Sequence, residues 1–408
     1  MARIEVPAEL QRKIEEWGTV DVVVGITGAA ALDDLRAKAS CLREIAERIV
    51  VAYAGVEDGE PADSLTETDG VHFATFPMSA QANSLAFWLD VANAQRGILA
   101  MAAAMGARAC LVSHSDLAAL AAKPARLLLE PVLEGKSDLM MPVYPDGKYD
   151  RLINKGLLAP LSRALFGRRV WSPLAYDFSV GKNVLEKLAH DAPVRDQNEP
   201  HLLWPANIVA MNGGQVGEAV VRVQHATQAD DLDLSAVLAE LAGSLFQEAE
   251  ACAAYWQRIR GSQAVPRSGN PIVVKDDPEP VDPRPMVESF VLGSRNLEEV
   301  WRLVLPPATM LELKRLTRLD AEQFRMPDAL WARIVYDFAL AHRLRRVSRT
   351  HVLGALTPLY LGWVASYTQE VGGATAQEAE HRIEQLARAY EEQKPYFVSR
   401  WRWPERLS

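Results

Sequence analysis

Between residues 20 and 225 short β-branched runs alternate with helical stretches, and beyond about residue 232 the pattern is almost wholly helical. That change of regime is the strongest constraint on the fold. Alternating strand and helix implies a largely parallel sheet covered by helices on both faces. Strands are expected at 20–26, 48–54, 71–76, 107–113 and 138–143, with 219–224 as a late one, and helices at 31–47, 84–105 and 124–133. The first run, VDVVVGI, is apolar almost throughout, as suits a strand buried on both faces.

A chain of 408 residues exceeds what one core supports. The expected organisation is an α/β domain over 1–230, a helix and proline-rich strap over 231–285, and a helical domain over 286–408. The stretch 261–285 holds six prolines and favours extended chain. Helical sequence precedes it, so it reads as a strap over the first domain. In the last part, Leu330, Trp331, Ile334, Val335 and Phe338 repeat at helical spacing after Pro327 and Asp328. That helix ends in His342, Arg343, Arg345, Arg346 and Arg349. Cations suit a helix C-terminus, so a solvated face is the simpler reading, and an anion or subunit contact the alternative.

A formal net charge of −9 argues against a general nucleic-acid binder. No apolar run approaches the roughly 20 residues that span a bilayer, and the first residues lack a signal-peptide pattern. Cys41, Cys110 and Cys252 form neither a disulfide framework nor a zinc motif. A cytoplasmic protein with no membrane and no nucleic-acid partner is expected.

Ligands of open α/β sheets bind at the carboxyl ends of the strands. The fourth strand ends in Ser113-His114-Ser115-Asp116-Leu117. A carboxylate there can hold a divalent cation that bridges nucleotide phosphates; on local sequence alone, a helix N-cap is the preferred reading. His225, after the late strand, is either a metal ligand or a satisfied core histidine. Gly25-Ile26-Thr27-Gly28 permits close backbone approach to a ligand, but no P-loop or dinucleotide fingerprint follows. Lys148 and Arg151, in YPDGKYDR, can bind a carboxylate or phosphate or lie in a solvated loop. Asp177, between Tyr176 and Phe178, is either satisfied by backbone donors or placed for chemistry.

Four stretches carry a resemblance to a family: 130–170 (EPVLEGKSDLMMPVYPDGKYDRLINKGLLAPLSRALFGRRV), 328–346 (DALWARIVYDFALAHRLRR), 356–367 (LTPLYLGWVASY) and 391–401 (EEQKPYFVSRW). With the strand-end Ser-Asp-Leu, they resemble retaining GT-A glycosyltransferases of the mannosylglycerate and glucosylglycerate synthase group. The resemblance implies a GT-A fold with a helical C-terminal region. It implies hexose transfer with retention from a nucleotide-diphosphate sugar to a small carboxylate acceptor such as glycerate, with a divalent cation (Mn²⁺ or Mg²⁺). The metal positions match His114, Asp116 and His225. The acceptor loop matches Lys148, Tyr149 and Arg151, the donor site Gly25, Thr27 and Arg96, and the residue near the reaction centre Asp177. The departures are specific. His114 stands where the family has an aspartate, Tyr53-Ala54-Gly55 replaces a Ser-Asp-Gly, and Leu202 occupies the place of an acidic residue beside Trp204. These losses raise an alternative: a catalytically impaired paralogue that binds or assembles with a partner. Trp301, Trp331, Tyr360, Trp363 and Tyr367 are compatible with homo-oligomer contacts, although core packing is their commoner use.

Overall fold

The computed structural model describes residues 8–28, 30, 32–54, 65–76, 87–114, 116–145, 147–190, 201–222, 233–270 and 281–404. Its strands, in chain order, are β1 Val22–Ile26, β2 Ile49–Ala54, β3 Leu65–Thr68, β4 Val71–Phe76, β5 Ala109–Ser113, β6 Leu139–Val143, β7 Arg168–Arg169, β8 Phe178–Gly181, β9 Val216–Val220, β10 Gln263–Ala264 and β11 Arg267–Ser268. The chain folds into two compact units that interleave along the sequence. One takes Met1–Pro145, Ser172–Asp230 and Ala264–Ile272, and the other takes Asp146–Trp171, Asp231–Gln263 and Val273–Ser408.

The first unit is α/β, with a mostly parallel mixed sheet flanked by helices. The strand order is β11-β9-β6-β8-β5-β1-β2-β4-β3. β1 pairs parallel with β2 and β5, β2 with β4, and β9 with β6 and β11. β8 runs antiparallel between β5 and β6. β3 returns on β4 through Asp69-Gly70, both at positive φ, the backbone that a two-residue hairpin turn requires. One face of the sheet carries Val22, Val24, Ile26, Ile49, Val51, Tyr53, Phe73 and Leu111 against Leu35, Leu42, Leu120 and Leu128. The other face meets the helix Phe87–Ala104: a Cβ on Gly25 would lie 2.0 Å from Ile98 Cγ2. At the opposite edge from the strand C-termini, Asp21 accepts hydrogen bonds from the Arg48 backbone and side chain and from Arg108. Burial pushes the Asp21 carboxyl up, but those hydrogen bonds outweigh it and hold the group below its ordinary value.

The second unit is helical. A π-helical turn, Asn154–Leu158, leads into the helix Ala159–Phe166. Within that turn a Cβ on Gly156 would lie 2.2 Å from the Trp363 ring. The Gly156 carbonyl accepts from Trp331 Nε1 (2.8 Å) and Tyr390 Oη (3.1 Å). A π turn breaks the regular i→i−4 ladder, and here two side chains bond the carbonyl it exposes. The long helices Asp328–Leu344, Arg349–Val371 and Ala376–Arg402 surround an aromatic core in which Trp256 stacks on Phe397 and Phe397 on Tyr336. Arg163 is 6% exposed and pairs with Glu384 and Glu391. A capping box of Thr375 and Glu378 starts the last helix.

Two expectations are corrected. The late strand is Val216–Val220, not 219–224, because it pairs residue for residue with β6, from Leu139↔Val216 to Val143↔Val220. The basic end of the Asp328–Leu344 helix is a solvated face only in part: Arg345 and Arg346 are exposed. His342 is buried, Arg343 donates to the Trp401 carbonyl and lies over its ring, and Arg349 bonds Glu250 and the His342 carbonyl. Packing against that end draws in His342, Arg343 and Arg349. Trp301, Trp331, Tyr360, Trp363 and Tyr367 are buried within their own unit, in keeping with core packing as their commoner use. Among the described residues, no helix is long and apolar enough to cross a membrane.

Candidate functional site

The carboxyl ends of β5, β6 and β1 and the entry to β8 converge in the first unit. Parallel strands bring their C-terminal ends to one edge, and the reversed strand β8 brings its N-terminal end to the same edge. Asp177, just before β8, is fully buried there. One carboxylate oxygen accepts from the His114 backbone N–H (2.9 Å) and the other from the Tyr144 hydroxyl (2.7 Å). Asp177 thus clasps the ends of β5 and β6 to β8. A buried carboxylate needs such donors, since an unpaired charge would be costly to desolvate.

His114 and Asp116 lie together. The imidazole Nδ1 is 3.3 Å from the Asp116 backbone N and 3.3 Å from Asp116 Oδ2. With Nδ1 bare it accepts from the backbone N–H; once protonated it donates to the carboxylate. Asp116 Oδ1 accepts from the Ala118 N–H (3.0 Å) in a local turn, while the N-cap of the short helix that follows, Ala118–Leu120, is Leu117 and not Asp116. Lys38 Nζ donates to the Asp116 carbonyl. The next residue, Leu117, is buried at φ +59, a left-handed conformation that costs a non-glycine residue about 1–3 kcal/mol. The turn is therefore held in a strained shape by its surroundings.

Aromatic rings complete this edge. Tyr176 presents its edge to the His114 ring (5.0 Å between centroids) and stacks on Trp88 (4.5 Å, 15° between planes). All three side chains are partly exposed. The helix that carries Trp88 fixes two further segments. Gln95 Nε2 donates to the Ala175 carbonyl, and Arg96 Nη2 donates to the carbonyls of His201 and Leu202. Leu202 and Trp204 are themselves fully buried.

The structure thus brings His114, Asp116, Asp177 and Thr27 to one edge. Thr27 contributes its backbone N–H and its hydroxyl, both donated to the Ser113 carbonyl. Gly25 faces Ile98, so its missing Cβ makes room for a helix. Arg96 is engaged with backbone. Lys148, Tyr149 and Arg151 belong to the other unit. There Lys148 is buried and donates to the carbonyls of Gly372 and Ala374, while its own carbonyl accepts from the Tyr367 hydroxyl. Arg151 has φ +53. His225 lies outside the described residues. Among the described residues, no group of three or more His, Cys, Asp or Glu side chains is gathered to hold a metal ion. His114 and Asp116 supply two donors.

The sequence reading missed Tyr144, Trp88, Gln95 and the strain at Leu117. Tyr144 had a usable signal: it directly follows a strand whose end faces the site. Trp88 and Gln95 had none, because their roles depend on how the 87–104 helix packs. No protein-family model matches the chain, and no curated protein matches it.

Proposed function

We propose that the first unit is a GT-A-like nucleotide-sugar domain and that the protein transfers a hexose, with retention, from a nucleotide-diphosphate sugar to a small carboxylate acceptor such as glycerate. The observation that carries this reading is the convergence of His114, Asp116 and Asp177 at the C-terminal edge of the parallel strands, beside a partly exposed aromatic wall. Crevices at that edge are where open α/β sheets take their ligands. His114 Nδ1 and Asp116 Oδ2, 3.3 Å apart, are close enough to share one divalent cation. An imidazole in the set suits Mn²⁺ better than Mg²⁺. Such a cation neutralises charge on a leaving diphosphate. Asp177 holds the strand ends that carry these donors. The resemblance alone assigns Lys148, Tyr149 and Arg151 to the acceptor; Lys148 is tied to the carbonyls of Gly372 and Ala374.

A second reading, a binding protein that keeps the fold without turnover, draws on different observations. Leu202 is buried where the related family carries a carboxylate, Asp177 has both oxygens engaged, and Gly25 and Arg96 are committed to packing and backbone. A thermal-shift panel of UDP-, GDP- and ADP-hexoses, each with and without Mn²⁺, separates the two, because a ligand that binds the folded state raises its midpoint. The transferase reading expects a Mn²⁺-dependent shift for one donor, lost in Asp116→Ala. A flat panel moves the assignment to the second reading.

A further inference from the structure

The helical unit contains a cleft of roughly 190 Å³ that the sheet-edge site does not explain. Its walls are apolar on one side, with Val304, Leu305, Leu340, Leu344 and Val347, and it is also lined by Arg302, Arg346, Arg400 and Asp337. Arg400 is the informative residue. It is nine-tenths buried, and its Nε lies 2.7 Å from Asp337 Oδ1. Asp337 is itself 1% exposed, and both of its oxygens lie within hydrogen-bond distance of the Tyr396 hydroxyl, which donates to them. Among the described residues, the two terminal amino groups of Arg400 have no hydrogen-bond acceptor. A guanidinium carries five N–H donors and no acceptor. Its terminal nitrogens open into the cleft, where water or an anion can accept from them.

Of the three arginines lining the cleft, Arg400 is paired with Asp337. Arg302 is also paired with Glu298, from its exposed position. The open terminal nitrogens of Arg400 favour an anion there, with the hydrocarbon of the apolar lining beside it. A cleft of this size holds about six water volumes, enough for an anionic head and a few carbons but not for a nucleotide. The planar fork of arginine matches a carboxylate with two parallel hydrogen bonds. An aliphatic carboxylate also places hydrocarbon against the apolar lining, which inorganic phosphate cannot do.

We propose that this cleft binds a short aliphatic carboxylate, its head on the terminal nitrogens of Arg400 and its chain on Leu340, Leu344 and Val347. The site is independent of the transferase reading, since it needs no sugar donor and no metal.

The test is a thermal-shift and calorimetric titration of the full chain with acetate, butyrate and hexanoate at constant ionic strength. Butanol, hexanol, chloride and inorganic phosphate serve as comparison probes. Butyrate and hexanoate are expected to bind at about 1 mM, the range reachable by so few atoms, and more tightly than acetate or the alcohols. Arg400→Lys, which keeps the charge and loses the fork, is expected to weaken hexanoate at least about tenfold. Leu344→Trp narrows the cleft from a position two helical turns beyond Asp337 and is expected to abolish binding, with an unliganded midpoint and circular dichroism that report an intact fold. Wild-type protein that responds no better to hexanoate than to hexanol or chloride overturns the proposal without recourse to variants. So does tighter binding of phosphate than of any carboxylate, or unchanged hexanoate affinity in Leu344→Trp.

Discussion

Gly25→Ala separates packing from ligand approach as the reason for a glycine at the end of β1. The new methyl would lie 2.0 Å from Ile98 Cγ2, 2.5 Å from Cγ1 and 2.8 Å from Cβ. Carbon atoms rest about 3.5–4.0 Å apart, so the gap must open by about 1.5 Å. Rotation of Ile98 cannot supply that, because its Cβ is already too close and a β-branched residue in a helix has one strongly preferred rotamer. The helix Phe87–Ala104 must back away from the sheet, and its hold on the Ala175, His201 and Leu202 carbonyls loosens with it. Overpacking of this kind costs about 1–3 kcal/mol, and a clash with three atoms belongs at the upper end. The assay is urea denaturation followed by circular dichroism for wild type, Gly25→Ala, Ile98→Ala and the double variant. Ile98→Ala alone should cost about 2–5 kcal/mol. The double variant should be more stable than the sum of the two losses implies, by about 1 kcal/mol or more, because the methyl then occupies vacated space. Additive losses would refute the packing account. A Gly25→Ala protein of wild-type stability that binds nucleotide sugar poorly would do the same, and would return Gly25 to the ligand site.

Tyr144→Phe leaves one oxygen of the buried Asp177 carboxylate without that donor, and should lower stability by about 1–3 kcal/mol in the same denaturation assay. Two groups of one helix should shape the pH profile in opposite senses. Burial, with Arg345 nearby, lowers the His342 pKa to about 4, while burial raises Asp337 to about 7 against the opposing pull of Arg400 and Tyr396. Below pH 6.5 the unfolded histidine takes a proton that the folded one refuses, so stability falls as pH drops towards 4, by about 3 kcal/mol at most. The unfolded aspartate ionises near 3.8 while the folded one keeps its proton to about 7, so stability falls as pH rises across that range. His342→Gln should therefore move the pH of greatest stability down and Asp337→Asn should move it up, measured as midpoint against pH; shifts in the same direction would refute the assignment. Trp331→Phe and Tyr390→Phe each remove one donor to the Gly156 carbonyl and should cost about 1 kcal/mol apiece beyond any packing loss, with a non-additive double variant.

The sheet was legible where its strands are long and β-branched. VDVVVGI is buried on both faces, and its near-continuous β-branched run is what a parallel strand covered on both sides carries. The hairpin of β3 and β4 had a signal in Asp69-Gly70 between two short runs, but the first run, LTET, is mostly polar and gives no apolar face to read. β8 is four residues long, too short for a period to declare itself, and its direction is a property of the sheet. At the site, the pairing of His114 with Asp116 follows from spacing within one turn. The engagement of Asp177 by Tyr144 does not, because 33 residues separate them and the contact exists only once β6 and β8 are adjacent. Arginines read worst of all. Arg96, Arg163 and Arg349 look like surface cations in the sequence, yet each is held by carbonyls or carboxylates that come from distant segments.

The interleaving of the two units has a consequence for how the chain comes off the ribosome. The sheet unit gains its last strand, β11, only after the helix Leu234–Ala251 of the other unit has been made. The segment 146–171 emerges early, but Arg163 meets Glu384 and Glu391 more than 200 residues later. Until then a guanidinium destined for the interior has no counter-charge, and an apolar helix has no cover. Neither unit can finish as a vectorial, domain-by-domain event of the kind open to chains with contiguous domains. A cut at residue 230 accordingly yields a fragment that lacks an edge strand and carries an orphaned helix, and splitting this protein for expression calls for linkers that rejoin its segments in spatial order.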